Sequence, residues 1–264
     1  MAFELGGSGG ASSRLLAPGE APPFQVHNPG AASPVVLIGD HAGRAVPAAL
    51  GDLGLPAAEM ERHIAWDIGV AALGARLADE LGACFIAQRF SRLVIDCNRD
   101  PERPDAICET SDGAKVPGNV GLTPTERRRR IDEVFSPYHA RIAQELDARA
   151  AAGAATLLVA LHSFTPVMAG SARPWRYGVL HLGQSPACDA VLASLRARFG
   201  AGLVGDNEPY RMDGTDFTIP HQAVARGLDY VELEVRQDLI ADDAGAADVA
   251  AVLGQVLREV SAGG

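Results

Sequence analysis

The chain alternates short apolar runs with stretches of helical spacing, and these two periods divide it into strands and helices. Val35 to Gly39 is a continuous apolar run, as expected of a strand buried on both faces. From Ala57 the apolar positions shift to helical spacing through Ile64, Ile68, Ala71, Ala72 and Ala75, and the pattern stops near Gly82. Cys84 to Ala87 and Leu93 to Cys97 read as strands. Residues 100–122 hold many turn formers and few apolar side chains, which predicts a long loop of the functional or disordered kind. Thr123 can cap the next helix, Pro124 fits its first position, and Glu126 completes a capping box. That helix should run toward Gly153, kinked or split at Pro137. Thr156 to Leu161 and Tyr177 to Leu182 are further strands, and Cys188 to Phe199 is an amphipathic helix. A short strand at Leu203-Val204, a last strand from Tyr230 to Val235 and a last helix from Ala246 to Val260 complete the pattern. Their order predicts an α/β three-layer sandwich with a mixed central sheet.

Composition refines this picture. Residues 1–34 are rich in Gly, Ala, Ser and Pro, so a flexible or loosely docked N-terminal arm is expected, with residues 35–264 forming a single domain. The 47% apolar and 21% charged fractions are ordinary for a soluble globular protein. A net charge of −10 argues against nucleic acid as a partner, because phosphate binding needs clustered cations. The one basic cluster, Arg127 to Arg130, is followed by Asp132 and Glu133 and reads as a solvated helix turn. Cys84, Cys97, Cys108 and Cys188 show neither CxxC spacing nor a disulfide framework, so reduced thiols are expected. No signal-peptide pattern and no apolar run of the roughly 20 residues needed to cross a bilayer is found, which makes the cytoplasm the expected location.

The candidate chemistry collects where strands should end. His41 follows the first buried run, inside Asp40-His41-Ala42-Gly43, and its small neighbours leave room for a ligand. His162 closes a second run and is followed by Ser163-Phe164-Thr165-Pro166. In open α/β sheets, ligands bind outside the carboxyl ends of the strands, so two such histidines point to one metal ion. A catalytic zinc usually takes three protein ligands and leaves a position for water. Asp67 interrupts an apolar helical face and is the candidate third ligand, with helix capping or a salt bridge as its alternative. His63, four residues earlier, shares that helical face, either as a supporting partner or as a competing ligand. Glu234 is the candidate general base and shares a strand face with Glu232. Buried carboxylates are costly unless paired, protonated or close to a cation. The alternative is that both glutamates face solvent on an edge strand, with Arg236 as a cross-strand partner. Asn98 and Arg99 pair a neutral donor with a planar fork suited to a substrate carboxylate. Arg92, Arg173 and Arg176 are further cations. Dinucleotide, phosphate-loop and nucleophile-elbow motifs are absent.

Five segments together resemble the N-formylglutamate amidohydrolase family. They are Asp40-His41-Ala42-Gly43, His63 to Gly69, Ser91 to Pro101, Leu161 to Pro166, and Glu234 to Leu239. The resemblance spans about residues 35 to 258. It implies a phosphorylase/hydrolase-like fold, related to zinc carboxypeptidases and aspartoacylases, and hydrolysis of an N-acyl amino acid. Those relatives draw metal ligands from His-x-x-Glu and a later His, whereas Arg44 stands three residues after His41 here. Asp67 is therefore the expected third ligand. The relatives also use an Asn-Arg pair for the substrate carboxylate, matching Asn98-Arg99, and a late strand glutamate, matching Glu234.

The resulting expectation is a metal-dependent amidohydrolase acting on a small anionic N-acyl amino acid, most simply N-formyl-L-glutamate. One divalent ion, expected to be zinc, would sit on His41, Asp67 and His162. Glu234 would act as base, Arg44 would steady the oxyanion, and Asn98, Arg99 and Arg176 would hold substrate. The alternatives are a deacylase for another N-acyl amino acid or short peptide, or a catalytically silent member that binds an acidic ligand.

Overall fold

The buried apolar runs pair edge to edge into one sheet. The computed structural model describes residues 14–183 and 185–262. Its strands are β1 (Phe24–His27), β2 (Val35–Gly39), β3 (Cys84–Gln88), β4 (Thr110–Ser111), β5 (Ala114–Lys115), β6 (Leu157–Phe164), β7 (Val167–Met168), β8 (Ser171–Ala172), β9 (Tyr177–Leu180), β10 (Val204–Asp206) and β11 (Asp229–Arg236). Its α-helices are α1 (Ala57–Met60), α2 (Val70–Leu81), α3 (Pro124–Arg130), α4 (Ser136–Ala151), α5 (Pro186–Phe199), α6 (Thr218–Gln222) and α7 (Asp243–Ala262). The seven-stranded sheet has the order β1-β3-β2-β6-β11-β9-β10, while β4-β5 and β7-β8 are separate hairpins. Strands β3, β2, β6 and β11 run parallel. At the flanks, β1 is antiparallel to β3, β9 is antiparallel to β11, and β10 follows β9. The sheet is therefore mixed, as the element order predicts.

Two helical layers cover it. Consecutive strand residues point to opposite faces. On β3, the Phe85 ring lies against Gly74 of α2, and the neighbouring Cys84 thiol lies beside Glu145 of α4. Helix α2 buries Val70, Leu73, Leu77 and Ala78 at helical spacing, and α7 packs on both α2 and α5. Every residue of β2 and of β6 is buried, which explains the unbroken apolar runs Val35 to Gly39 and Leu157 to Leu161. Burying one such aliphatic side chain contributes about 1.5–3 kcal/mol. Because β6 lies between β2 and β11, the carboxyl ends of these three parallel strands share one edge.

Several expectations need correction. The N-terminal arm is not loose where it is described. Phe24–His27 pairs with β3 as an edge strand, and Leu15 is buried, with the Leu15 and Leu16 N–H groups donating to Glu133 at 2.7 and 2.9 Å. Residues 1–13 lie outside the described residues. The helix expected from Ala57 to Gly82 is interrupted after Met60 and resumes at Val70. In between, the backbone bonds outward. The Asp67 N–H donates to His41 O at 2.9 Å, and Ala65 O accepts from Ser91 Oγ at 2.6 Å. Gly69 then takes φ 85°, and a Cβ there would lie 2.1 Å from Ile240 O, so only glycine fits.

The run Leu93 to Cys97 is buried but forms turns rather than a strand. Side chains satisfy its backbone instead: Asn119 Nδ2 donates to Leu93 O at 2.9 Å and Arg130 Nη1 to Val94 O at 2.9 Å. Arg130 is consequently not solvated. It is 1% exposed and also bonds Asn119 Oδ1 and Gly118 O. Pro137 does split its helix, through a π-helical stretch over Ile131–Phe135 that joins α3 to α4. The 100–122 segment is ordered by two 3₁₀ turns and the β4-β5 hairpin. All four cysteines carry free thiols. Among the described residues, no helix is long and apolar enough to cross a membrane.

Candidate active site

His41, Asp67 and His162 converge at the shared strand edge. His41 lies just past β2, His162 is the sixth residue of β6, and Asp67 is held between them by the bent segment before α2. All three are 3% exposed, and one ligand atom from each lies within 4.8 Å of the others. His162 Nδ1 is 2.9 Å from Asp67 Oδ2, and His41 Nδ1 is 3.5 Å from the same oxygen. The far sides of both imidazoles also meet carboxylates. His41 Nε2 is 2.7 Å from Asp96 Oδ1, and His162 Nε2 is 3.6 Å from Asp40 Oδ2. Each ring is thus oriented from behind, and its Nδ1 faces the common centre. Such outer carboxylates fix the tautomer and orientation of metal-binding histidines.

The electrostatics follow from this packing. Burial disfavours charge on Asp67, yet His41 and His162 hold its carboxyl far below the usual range. Burial likewise opposes charge on His162, but Asp40 and Asp67 keep its pKa well above the ordinary imidazole value. His41 is also raised: burial and Arg92 oppose its charge, while Asp96 and Asp67 favour it. His41 Nδ1 is buried without a hydrogen-bond partner among the described residues. Two imidazole nitrogens and a carboxylate oxygen around one buried point form a donor set that suits a borderline divalent cation such as zinc.

The two glutamates stand next to this group. In the parallel register Glu234 is opposite His162, and Glu232 is opposite Ala160, so all four side chains share a face. The strand is central and both glutamates are buried, which excludes the solvent-facing edge arrangement. Arg236 pairs with Asp238 instead. Burial raises both carboxyls to about 8, with His162 pulling the other way. One oxygen of each carboxyl group lacks a hydrogen-bond partner among the described residues. Gly178 of β9 lies beside Glu234, and a Cβ there would fall 2.1 Å from Glu208 O and 3.2 Å from Glu234 Cβ. Glycine thus allows Glu208 to pack directly on β9, and the loop that follows it lines the site through Tyr210, Arg211, Thr215 and Asp216.

These groups line a cavity of about 720 Å³. The profile of the N-formylglutamate amidohydrolase family matches residues 33–241. The chain belongs to the N-formylglutamate amidohydrolase family. It is therefore an amidohydrolase. It is 28% identical over 204 residues to an N-formylglutamate deformylase of Pseudomonas aeruginosa, covering 69% of this chain and 75% of that protein. A deformylase of Pseudomonas putida is 27% identical over 177 residues, covering 61% and 65%. A solved gene product from Agrobacterium tumefaciens superposes with TM-score 0.90 and 36% identity, covering 95% of this chain and 99% of that one. An N-formylglutamate amidohydrolase from Ralstonia eutropha shares the fold, with TM-score 0.72 and 20% identity over 91% and 97% of the chains.

Within this amidohydrolase, the other expected site residues scatter. Arg44 does not line the cavity; it is ion-paired with Glu61 and stacked 5.1 Å from the Trp66 ring centre. Arg176 stacks on Phe199 of α5 at 5.1 Å and does not line the cavity either. Asn98 does line it, but its amide is committed. Oδ1 accepts from the Phe217 and Thr218 N–H groups at 3.1 and 2.9 Å, and Nδ2 donates to Asp216 at 3.4 Å. Asn98 thus pins the turn before α6. Arg99 gives Nη1 to Thr215 O and Asp216 Oδ1, leaving Nε and Nη2 without hydrogen bonds among the described residues. Arg92 is paired with Asp96 at 2.7 Å and Asp67 at 3.5 Å. His63 lines the cavity but faces Asp112 at 3.6 Å rather than the histidines, because residues 61–69 are not helical. Asp96 and Asp40 had no role assigned from sequence. Their signal was available, since each is an acid ending an apolar run that tertiary contacts bury.

Proposed function

We propose that the protein hydrolyses N-formyl-L-glutamate to formate and L-glutamate, with His41, Asp67 and His162 holding one divalent metal ion, zinc by its ligand chemistry. The observation that carries this reading is the buried His41-Asp67-His162 group, backed by Asp96 and Asp40 and flanked by Glu234. The partnerless Nδ1 of His41, aimed at the Asp67 carboxylate, supports an ion at the centre. A bound cation would polarise the formyl carbonyl and acidify water there, and it would also draw Glu234 toward its charged form. Glu234 takes the proton from the attacking water and delivers it to the leaving amine. Arg99, through its unbonded Nε and Nη2, holds a substrate carboxylate. The cytoplasm is the proposed location, a reading supported by the four free thiols. The names of the Pseudomonas relatives support the same substrate. The test is formate release by metal-replete protein from N-formylglutamate and from N-acetylglutamate. Turnover with the formyl compound supports the assignment, and turnover with the acetyl compound alone overturns it.

A further inference from the structure

The cavity wall contains an arginine with no anion to match it. Arg92 is paired with Asp96 and Asp67, and Arg99 is half engaged by Thr215 O and Asp216. Most of the acids along the wall are matched as well: Asp105 by Arg103, Asp112 by Arg62 and Asp216 by Arg99. Arg211 also lines the cavity, yet its guanidinium makes no hydrogen bond, ion pair or ring contact among the described residues. In a chain of net charge −10, an unmatched arginine among the residues that line this cavity is a conspicuous feature.

The backbone carrying Arg211 is held on both sides. Tyr210 is clamped by Arg173, whose guanidinium lies 4.8 Å from the ring centre and donates to the hydroxyl at 3.0 Å. Met212 is buried, with its N–H donating to Asn207 Oδ1 at 3.4 Å. The side chain between them is free while its anchor is fixed. That arrangement limits the ordering required when a planar anion docks.

We infer that Arg211 reads the side-chain carboxylate of the substrate, an inference that rests on the deformylase reading. A dicarboxylic N-acyl amino acid needs two cationic contacts. Arg99 follows closely on Asp96, the partner of His41, and so suits the α-carboxylate next to the scissile amide. Arg211 stands at the exposed rim and suits the carboxylate farther out. This residue therefore selects acidic over neutral N-formyl amino acids.

The experiment compares the metal-replete parent with Arg211→Gln. It measures kcat/KM on N-formylglutamate and N-formylglutamine, and glutarate binding by calorimetry. Loss of a bidentate contact to a charged group should lower kcat/KM on N-formylglutamate roughly 10- to 100-fold, change N-formylglutamine less than about threefold, and weaken glutarate about tenfold. Arg211→Lys should recover part of the loss. Equal losses on both substrates would make Arg211 a prop for the loop and overturn the inference, as would an unchanged substrate preference with unchanged glutarate binding. If the parent releases formate from neither compound, the deformylase reading fails, and the glutarate titration alone decides the role of Arg211.

Discussion

Replacing Glu232 with Gln should favour the fold of the metal-free protein more at high pH than at low pH. Glu232 is 2% exposed on a central strand, with Oε2 unpartnered. Burial, opposed by His162, raises its pKa from 4.5 to about 8. At 1.36 kcal/mol per unit, that shift sets a ceiling of about 5 kcal/mol on the cost of ionising the side chain within the fold. The sign follows from proton counts. Between about pH 4.5 and 8 the folded protein retains a proton that the unfolded chain has released. The destabilisation is therefore absent below this window, grows through it and is complete above it. Local relaxation lowers the realised value to about 1–3 kcal/mol, or roughly 2–12 °C in Tm for a chain of this size. The assay is thermal unfolding of chelator-treated parent and Glu232→Gln at pH 4.5 and 9. A buried Gln adds its own offset at both pH values, so the difference between the two shifts isolates the charge. Equal shifts at the two pH values would refute the reasoning and mean that Glu232 is compensated when folded.

Glu234→Gln should keep metal and fold while turnover falls about 10²–10⁴-fold, as expected for loss of a positioned base, and Glu232→Gln should lose far less; equal losses in steady-state assays would move the base elsewhere. Asp40→Asn should weaken metal binding about 10–100-fold in chelator competition, because Asp40 backs the His162 ring at 3.6 Å; unchanged affinity would deny it that role. Arg130→Met should destabilise the protein by about 3–5 kcal/mol in urea unfolding, since Val94 O, Asn119 Oδ1 and Gly118 O all lose a buried donor; a change below about 1 kcal/mol would contradict that accounting.

The sequence was most readable where one period dominates. The runs Val35 to Gly39 and Leu157 to Leu161 are buried along their length, so unbroken apolar character marked β2 and β6, while Val231, Leu233 and Val235 alternating with two glutamates marked β11; together they placed His41, His162 and Glu234 toward the carboxyl ends of the strands. The period misled where side chains from distant segments satisfy the backbone. Leu93 to Cys97 is as apolar as a strand, but Arg130 and Asn119 take the carbonyl positions a neighbouring strand would fill. The 61–69 segment has helical spacing, yet its bonds go to His41, Ser91 and Arg92, and this bend is what delivers Asp67 to the histidines. Pairing decisions among arginines were not legible at all. Arg44, Arg99, Arg176 and Arg211 look alike in one dimension, and their roles differ only through what the fold places beside them: Glu61, Asp216, Phe199 and, for Arg211, an open cavity.

Metal analysis across the three proposed ligands tests the central claim most directly. The purified parent, His41→Ala, Asp67→Ala and His162→Ala should be analysed for bound metal by mass spectrometry, alongside formate release from N-formylglutamate. About one divalent ion per parent chain is expected, with metal and turnover lost together in each variant and the chelated parent recovering when zinc is returned. Undiminished metal content in folded His41→Ala and His162→Ala, or full turnover by the metal-stripped parent, would contradict it.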